Sequence, residues 1–181
     1  MNIAYILSGE DLSVKDVFQF NDFDFKFDID FAEKSTIGLS RKPIIDTGDY
    51  IVTKEFKGIC VTCENESGNN YHIITAQQME NLFDCRVLLQ GQSVIASTGI
   101  EDFIKNTIEN EFISSDDTAF NKPYLSVVCQ THTPLNIAVD NENGIYNLKT
   151  FLGNAKQYYG IFLNFDFVDD NGDRSIVIRV S

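Results

Sequence analysis

The chain is most regular over the stretch Phe23-Asp24-Phe25-Lys26-Phe27-Asp28-Ile29-Asp30-Phe31, where apolar and polar residues alternate at every step. A period of two is typical of a β-strand with one buried face and one solvent-facing face. The apolar face would carry four phenylalanines and one isoleucine, a large hydrophobic load for one strand. The stretch therefore predicts a long, half-buried strand over residues 23–31 that acts as a scaffold element.

Composition limits the classes of protein that the chain can belong to. It has 181 residues, 43% of them hydrophobic, and a net charge of −13. This length suffices for one large domain or two small ones with a sizeable core. The acidity is spread along the chain and no run of Lys or Arg occurs, so we expect no specific nucleic-acid binding.

The sequence also lacks segments typical of secretion or membrane insertion. The apolar run at the N-terminus is short, and no stretch approaches the roughly 20 apolar residues of a membrane helix. We therefore expect a soluble protein made in a cytoplasm, with no membrane insertion and with its four cysteines reduced.

Strand patterns dominate the first half of the chain, and two amphipathic helices mark the second. Strands are predicted at residues 2–7, 14–20, 23–31, 49–54, 58–64, 71–75, 85–89 and 124–130, with a hairpin loop at 65–70 and a short helix at 77–83. A helix is predicted to begin at Thr98, with Glu101 completing a capping box. A second helix, over 148–159, begins after the cap residue Asn147 and ends at Gly160.

The last segments, 161–168 and 175–180, predict a hairpin whose turn contains Asn171-Gly172. The chain is thus predicted to be α+β with mostly antiparallel sheets. A β-rich, barrel-like domain would span 1–96, and an α+β domain ending in the hairpin would span 97–181.

The residues that most often carry chemistry give weak signals. Cys60 and Cys63 form a C-x-x-C, but in a strand pattern, where residues three apart point to opposite faces, so structural cysteines are favoured over zinc. His72 and His132 have no partner that the spacing reveals. We predict no catalytic residue, no bound cofactor and no metal site.

The acidic C-terminal hairpin is the other candidate cation site. It carries Asp166, Asp169, Asp170 and Asp173, but without the alternating ligands and distal glutamate of a calcium loop. An ordinary solvated turn is the favoured interpretation.

A set of packing motifs in the second half has a recognisable order. They are the short helix at 77–84, the capped helix at 98–104, and the segment 144–152 that leads into the terminal hairpin, with Tyr146, Leu148, Phe151 and Leu152 as the matched positions. In this order the chain resembles, over residues 45–181, the N-terminal region of siphophage tail-tip proteins. This family comprises the baseplate hub, or tail-associated lysin, of long-tailed phages and prophages.

The resemblance implies a structural, non-enzymatic component of the tail tip, which takes part in tail assembly and DNA passage. Relatives form a trimeric ring that contacts the distal tail protein, so it implies a homotrimer and other tail proteins as partners. The chain ends directly after the hairpin, so we expect no lytic module. Asp22, Asp24, Asp28 and Asp30 would then be an assembly or lumen surface; alternatively, they are solvent-facing charges that keep an aromatic strand from pairing with other chains.

Two other classes remain open from the sequence. One is a small metal-dependent hydrolase that uses His72, His132 or the cysteines. The other is a carbohydrate- or receptor-binding module in which exposed aromatic residues such as Tyr71 or Tyr158 stack on a ligand.

Overall fold

A computed structural model describes residues 2–66, 70–88, 92–139 and 145–181. The chain divides into two compact units, Met1–Leu82 and Phe83–Ser181. The α+β class predicted from the sequence is confirmed, with a curled, half-barrel antiparallel sheet and with the helices in the second half. Residues 67–69, Leu89 and Gly144, which belong to a predicted loop, a predicted strand and a resemblance motif, lie outside the described residues.

The first unit is built from antiparallel strands that form one sheet. They are Asn2–Leu7 (β1), Val14–Phe20 (β2), Asp22–Asp24 (β3), Ser35–Leu39 (β4), Tyr50–Val52 (β5), Lys57–Asn65 (β6) and His72–Gln78 (β7), followed by a short 3-10 helix at Met79–Phe83. Their order across the sheet is β2-β1-β5-β6-β7-β4-β3. Alternate residues of these strands face one core, whose buried members include Ala4, Ile6, Phe18, Phe20, Ile37, Leu39, Ile51, Phe56, Ile74 and Ala76.

The long strand predicted over residues 23–31 is wrong over most of its length, because β3 ends at Asp24. Asp28 accepts hydrogen bonds from the two main-chain amides that follow Phe31, at 2.9 and 3.1 Å. Phe31 itself adopts a left-handed conformation, with a φ of 57°. These side-chain bonds to the main chain replace the ladder of a strand with a compact turn.

The turn changes which aromatic side chains enter the core. Phe31 is buried and Phe25 is half-buried, but Phe27 is 63% exposed. Phe25 stacks on the buried Phe56 with ring centroids 4.9 Å apart. The alternating pattern therefore supplies anchors for a folded-back loop, and the next strand, Ser35–Leu39, was missed by the sequence prediction.

A β-bulge in β6 corrects the prediction made for the C-x-x-C pair. The register against β7 shifts between Cys60 and Thr62, so that Cys60 lies opposite Ala76 and Cys63 lies opposite Ile74. One extra residue in the bulged strand reverses the side-chain alternation beyond it. Both cysteines consequently pack at the core, and the prediction of opposite faces is wrong.

The second unit combines two helices with short sheets. Its strands are Arg86–Leu88 (β8), Gln92–Val94 (β9), Leu125–Cys129 (β10), Ile137–Val139 (β11), Ile145–Asn147 (β12), Leu163–Asp170 (β13) and Asp173–Val180 (β14), and its α-helices are Gly99–Ile108 (α1) and Leu148–Tyr159 (α2). A π-helical turn, Glu109–Ile113, extends α1, and a 3-10 turn lies at Thr118–Phe120. One sheet has the order β10-β14-β13, with β10 parallel to β14, and the pairs β9–β11 and β8–β12 are antiparallel.

Helix α2 and the terminal hairpin agree with the sequence prediction. Asn147 caps α2 by accepting a hydrogen bond from the amide of Thr150 at 3.0 Å. Gly160 ends the helix in the left-handed conformation, with a φ of 69°. The hairpin turn places Asn171 and Gly172 at φ values of 55° and 96°, which a type I′ turn requires.

The boundary between the units falls earlier than the domain limit predicted after residue 96. It lies between Leu82 and Phe83. The short strands β8 and β9 precede the predicted limit in sequence, but they pair with β12 and β11, which belong to the second unit. In the described part of the chain, no helix is long and apolar enough to cross a membrane.

Candidate assembly surface

The four aspartates singled out by the sequence do not share one face of a strand. Asp22, Asp24 and Asp30 are exposed, whereas Asp28 is half-buried. Asp24 forms an ion pair with Lys26 at 3.0 Å, and Asp22 accepts a hydrogen bond from the hydroxyl of Tyr71. The exposed aspartates are open to solvent and so accessible to a partner.

Asp28 has a structural role within the first unit. Its carboxylate accepts the side-chain amide of Gln78 at 2.6 Å in addition to the two main-chain amides of the turn. Burial raises the pKa of Asp28. Its hydrogen bonds with Asp30 and with the amides of residues 33 and 32 lower the pKa by more than burial raises it, so that the net shift is downward. Asp28 thus fixes the loop that presents its neighbours.

Exposed apolar side chains alternate with the exposed acids along the same segment. Phe23 is 39% exposed, Phe27 is 63% exposed and Ile29 is 48% exposed. We call residues 22–30 the acidic–aromatic segment. Exposed aromatic and aliphatic groups clustered among charges are typical of surfaces that contact another protein.

An ion pair that sequence reasoning missed joins the outer strand β2 to the segment that follows β4. Arg41, just after β4, donates two hydrogen bonds to the carboxylate of Asp16 on β2, at 2.7 and 2.9 Å. The guanidinium also lies 5.7 Å from the ring centre of Phe18. Hydrogen bonding to Arg41 is the largest cause that holds the pKa of Asp16 below its usual value. We call this pair the clasp.

A second ionic contact continues along the same edge. Lys15 on β2 binds Asp46 at 2.5 Å and the buried Asp49 at 2.7 Å. Hydrogen bonds to Asp46 and Asp49 raise the pKa of Lys15. Asp49 also accepts the main-chain amide of Asp46 at 2.7 Å. The residues after β4 are therefore attached to β2 at more than one point.

Neither histidine lies in an arrangement typical of catalysis. His72 is buried in β7. The ring nitrogens of His132 lie 2.6 Å from the carbonyl oxygen of Thr98 and 2.9 Å from that of Ala96. The His132 ring is thus engaged with the turn that precedes α1 and attaches the loop after β10 to it.

The capping box predicted at the start of α1 is wrong, because Thr98 makes no side-chain cap and Glu101 serves another purpose. The side chain of Glu101 is fully buried. Its carboxylate accepts the hydroxyls of Thr131 and Thr133 at 3.1 and 2.7 Å, and the amide of Thr133 at 2.8 Å. Burial raises the pKa of Glu101, but the hydrogen bonds from Thr133 and Thr131 outweigh burial and the net shift is downward.

The cysteine environment disfavours thiolate chemistry. Burial raises the pKa of Cys60 to about 12 and that of Cys129 to about 11. Burial also raises the pKa of Cys63 and of Cys85. Among the residues that the structure describes, no three His, Cys, Asp or Glu side chains are grouped so that they could hold a metal ion.

The acidic hairpin uses its carboxylates within the turn and the strands. Asp169 accepts the amide of Gly172 and the guanidinium of Arg174, both at 2.8 Å. Asp166 pairs with Arg179 at 2.6 Å. This geometry agrees with a solvated turn.

Comparisons with known proteins identify similar folds. Prophage tail protein gp18 from Listeria monocytogenes EGD-e is 10% identical with a TM-score of 0.50, and the alignment covers 99% of this chain and 50% of that one. The 43 kDa tail protein of prophage MuSo2 from Shewanella oneidensis is 12% identical with a TM-score of 0.42, over 98% of this chain and 47% of that one. The tail protein from Neisseria meningitidis MC58 is 12% identical with a TM-score of 0.46, and the alignment covers 98% of this chain and 50% of that one.

The likeness to gp18, at this low identity, shows a shared fold. This chain spans about half the length of the solved tail proteins with which it aligns. No protein-family model matches the sequence, and no curated protein matches it.

Proposed function

We propose that this chain is a structural protein of a phage or prophage tail, located at the tail tip or baseplate hub. It takes part in tail assembly and DNA passage and performs no catalysis of its own. The observation that carries the proposal is the fold likeness to prophage tail protein gp18 over 99% of the chain. The motif order that resembles tail-tip hubs supports the same assignment.

The partners in this proposal are further copies of the chain, as a homotrimer, and other tail proteins such as a distal tail protein. The acidic–aromatic segment is the surface that we assign to these contacts. Its exposed rings supply apolar area, and its exposed aspartates restrict the partners that can dock. Negative charge near a DNA path also keeps phosphates from adhering, because like charges repel.

The first experiment tests the tail assignment itself. In a phage or prophage that encodes this chain, the gene is deleted and particles are imaged by electron microscopy. We expect absent or incomplete tails, restored by the wild-type gene supplied in trans. Complete, infectious tails in the deletion strain would refute the proposal.

A second experiment tests the acidic–aromatic segment. Asp24→Lys together with Asp30→Lys reverses two exposed charges and keeps the bonds of Asp28 to Gln78 and to the main-chain amides of the turn. The matched control, Asp116→Lys with Asp173→Lys, makes the same charge change at exposed positions of the second unit. We expect a loss of infectivity of roughly tenfold or more with the first pair only, since like charge across an interface costs several kcal/mol. Equal infectivity of the two double variants would exclude the segment as the contact.

A further inference from the structure

The outer strands of the half-barrel differ in how easily another strand could add to them. In the described part of the sheet, β3 is three residues long and contains two aspartates, and short charged edges resist pairing. The opposite outer strand, β2, spans seven residues. It exposes Val14 and Val17 to 43% and 46%. Strand β2 is therefore the edge at which addition is more favourable.

The clasp occupies two main-chain groups of β2, those of Val17, that a further strand would need. The amide of Val17 donates to its neighbour Asp16 at 2.8 Å. The carbonyl oxygen of Val17 accepts from Arg41 at 3.2 Å. Val17 lies opposite Tyr5 in the antiparallel register. In such a ladder alternate residues direct both main-chain groups away from their partner, and here both of these groups at Val17 are already bonded.

The chain beyond Arg41 runs along the same edge. The amide of Ile44 donates to the Asp16 carboxylate at 3.0 Å, and Lys15 binds Asp46. We call residues 41–46 the strap. The strap connects the end of β4 to the side chains of Asp16 and Lys15 on β2, and within it Arg41 binds the outward main-chain oxygen of Val17.

We propose that the clasp closes β2 to strand addition, and that its opening allows β2 to pair with a strand of a second copy of this chain. A second copy is the partner because an opened copy presents the same long edge with the same exposed valines. Two such edges can pair antiparallel about a two-fold axis and place apolar side chains across from each other. This inference is independent of the proposed function.

The test compares the clasp variant Arg41→Ala with the matched control Arg179→Ala. Both changes remove an arginine of similar exposure, 45% for the Arg41 side chain and 40% for that of Arg179, from an ion pair with an aspartate. Sedimentation velocity over a range of concentrations measures association relative to the wild-type state, and circular dichroism verifies the fold. We expect a roughly tenfold lower dissociation constant for self-association with Arg41→Ala only. Exchange of the Val17 amide should also be about tenfold faster in the unassociated variant.

A second variant localises the association to β2. Val17→Pro, added to Arg41→Ala, removes the outward amide and is tolerated on an outer strand, so it should return association to the wild-type level. A folded Arg41→Ala protein that associates no more than wild type would overturn the proposal, as would association that Val17→Pro leaves unchanged. If Arg41→Ala fails to fold, Arg41→Lys replaces it in both tests. A lysine cannot form a bidentate pair with the Asp16 carboxylate and also bind the Val17 carbonyl oxygen.

Discussion

The buried carboxylate of Glu101 allows a quantitative prediction for the second unit. In Glu101→Gln, one side-chain oxygen still accepts the hydroxyls of Thr131 and Thr133, but the new amide group faces the Thr133 main-chain amide, which is also a donor. One charge-assisted bond is lost and a donor is left unpaired. Each such bond contributes about 1.5–3 kcal/mol, so we expect unfolding free energy to fall by about 2–3 kcal/mol at pH 7.

The same site predicts a pH dependence with a defined sign. Because the pKa of Glu101 is lowered in the folded chain, its contribution is complete above the unfolded value of about 4.3 and is lost as the pH falls through the folded value. The Gln variant has no such titration. The stability difference between wild type and Glu101→Gln should therefore shrink as the pH falls below about 4.

Urea unfolding monitored by circular dichroism, repeated between neutral and acidic pH, measures both effects. The control is Glu109→Gln in the adjoining π-helical turn, where a half-exposed ion pair with Lys105 at 3.9 Å contributes at most about 0.5 kcal/mol. A Glu101→Gln protein within about 0.5 kcal/mol of wild type, or a difference that does not change with pH, would refute this account of the buried carboxylate.

Three further substitutions follow from packing and backbone geometry. Phe56→Ala removes a buried ring that stacks on Phe25, and urea unfolding should show a loss of about 3–5 kcal/mol; a loss below about 1 kcal/mol would contradict the core assignment. Asn147→Ala removes the cap of α2 and should cost about 1 kcal/mol in the same assay, whereas an unchanged midpoint would mean that the cap contributes nothing. Gly99→Ala should lower the melting temperature, because a Cβ would lie 2.7 Å from the His132 ring at a φ of +82°; a stabilised variant would be inconsistent with that geometry.

Local signals in the sequence were sufficient for some elements. Three of these elements depend only on residues close to them in sequence: the cap Asn147, the left-handed Gly160 and the Asn171-Gly172 turn. They can therefore be predicted from residue type and spacing alone. The identity of these elements does not depend on distant partners.

The failures arise where distant residues decide the structure. The pattern over residues 23–31 fits a strand, but Asp28 reaches Gln78, a residue 50 positions away, and its turn ends the ladder. The clasp joins residues 25 positions apart, and an aspartate in a strand pattern gives no signal of its partner. Glu101 fitted a local capping box, yet its carboxylate oxygens accept hydrogen bonds from a loop about 30 residues further along the chain. The exposure of Asp22, Asp24 and Asp30 was predictable, whereas the geometry that surrounds them was not.

The bulge in β6 gives the first unit an internal reporter of its own opening. Because Cys60 is buried in the core on the bulged strand, a thiol reagent can reach its sulfur only when the sheet separates from the core side chains packed against it. With a pKa of about 12, roughly one Cys60 thiol in 10⁵ is ionised at pH 7, so the closed state reacts very slowly with thiol reagents. The rate of labelling at Cys60 thus counts opening events of the half-barrel in unmodified protein, without any engineered probe.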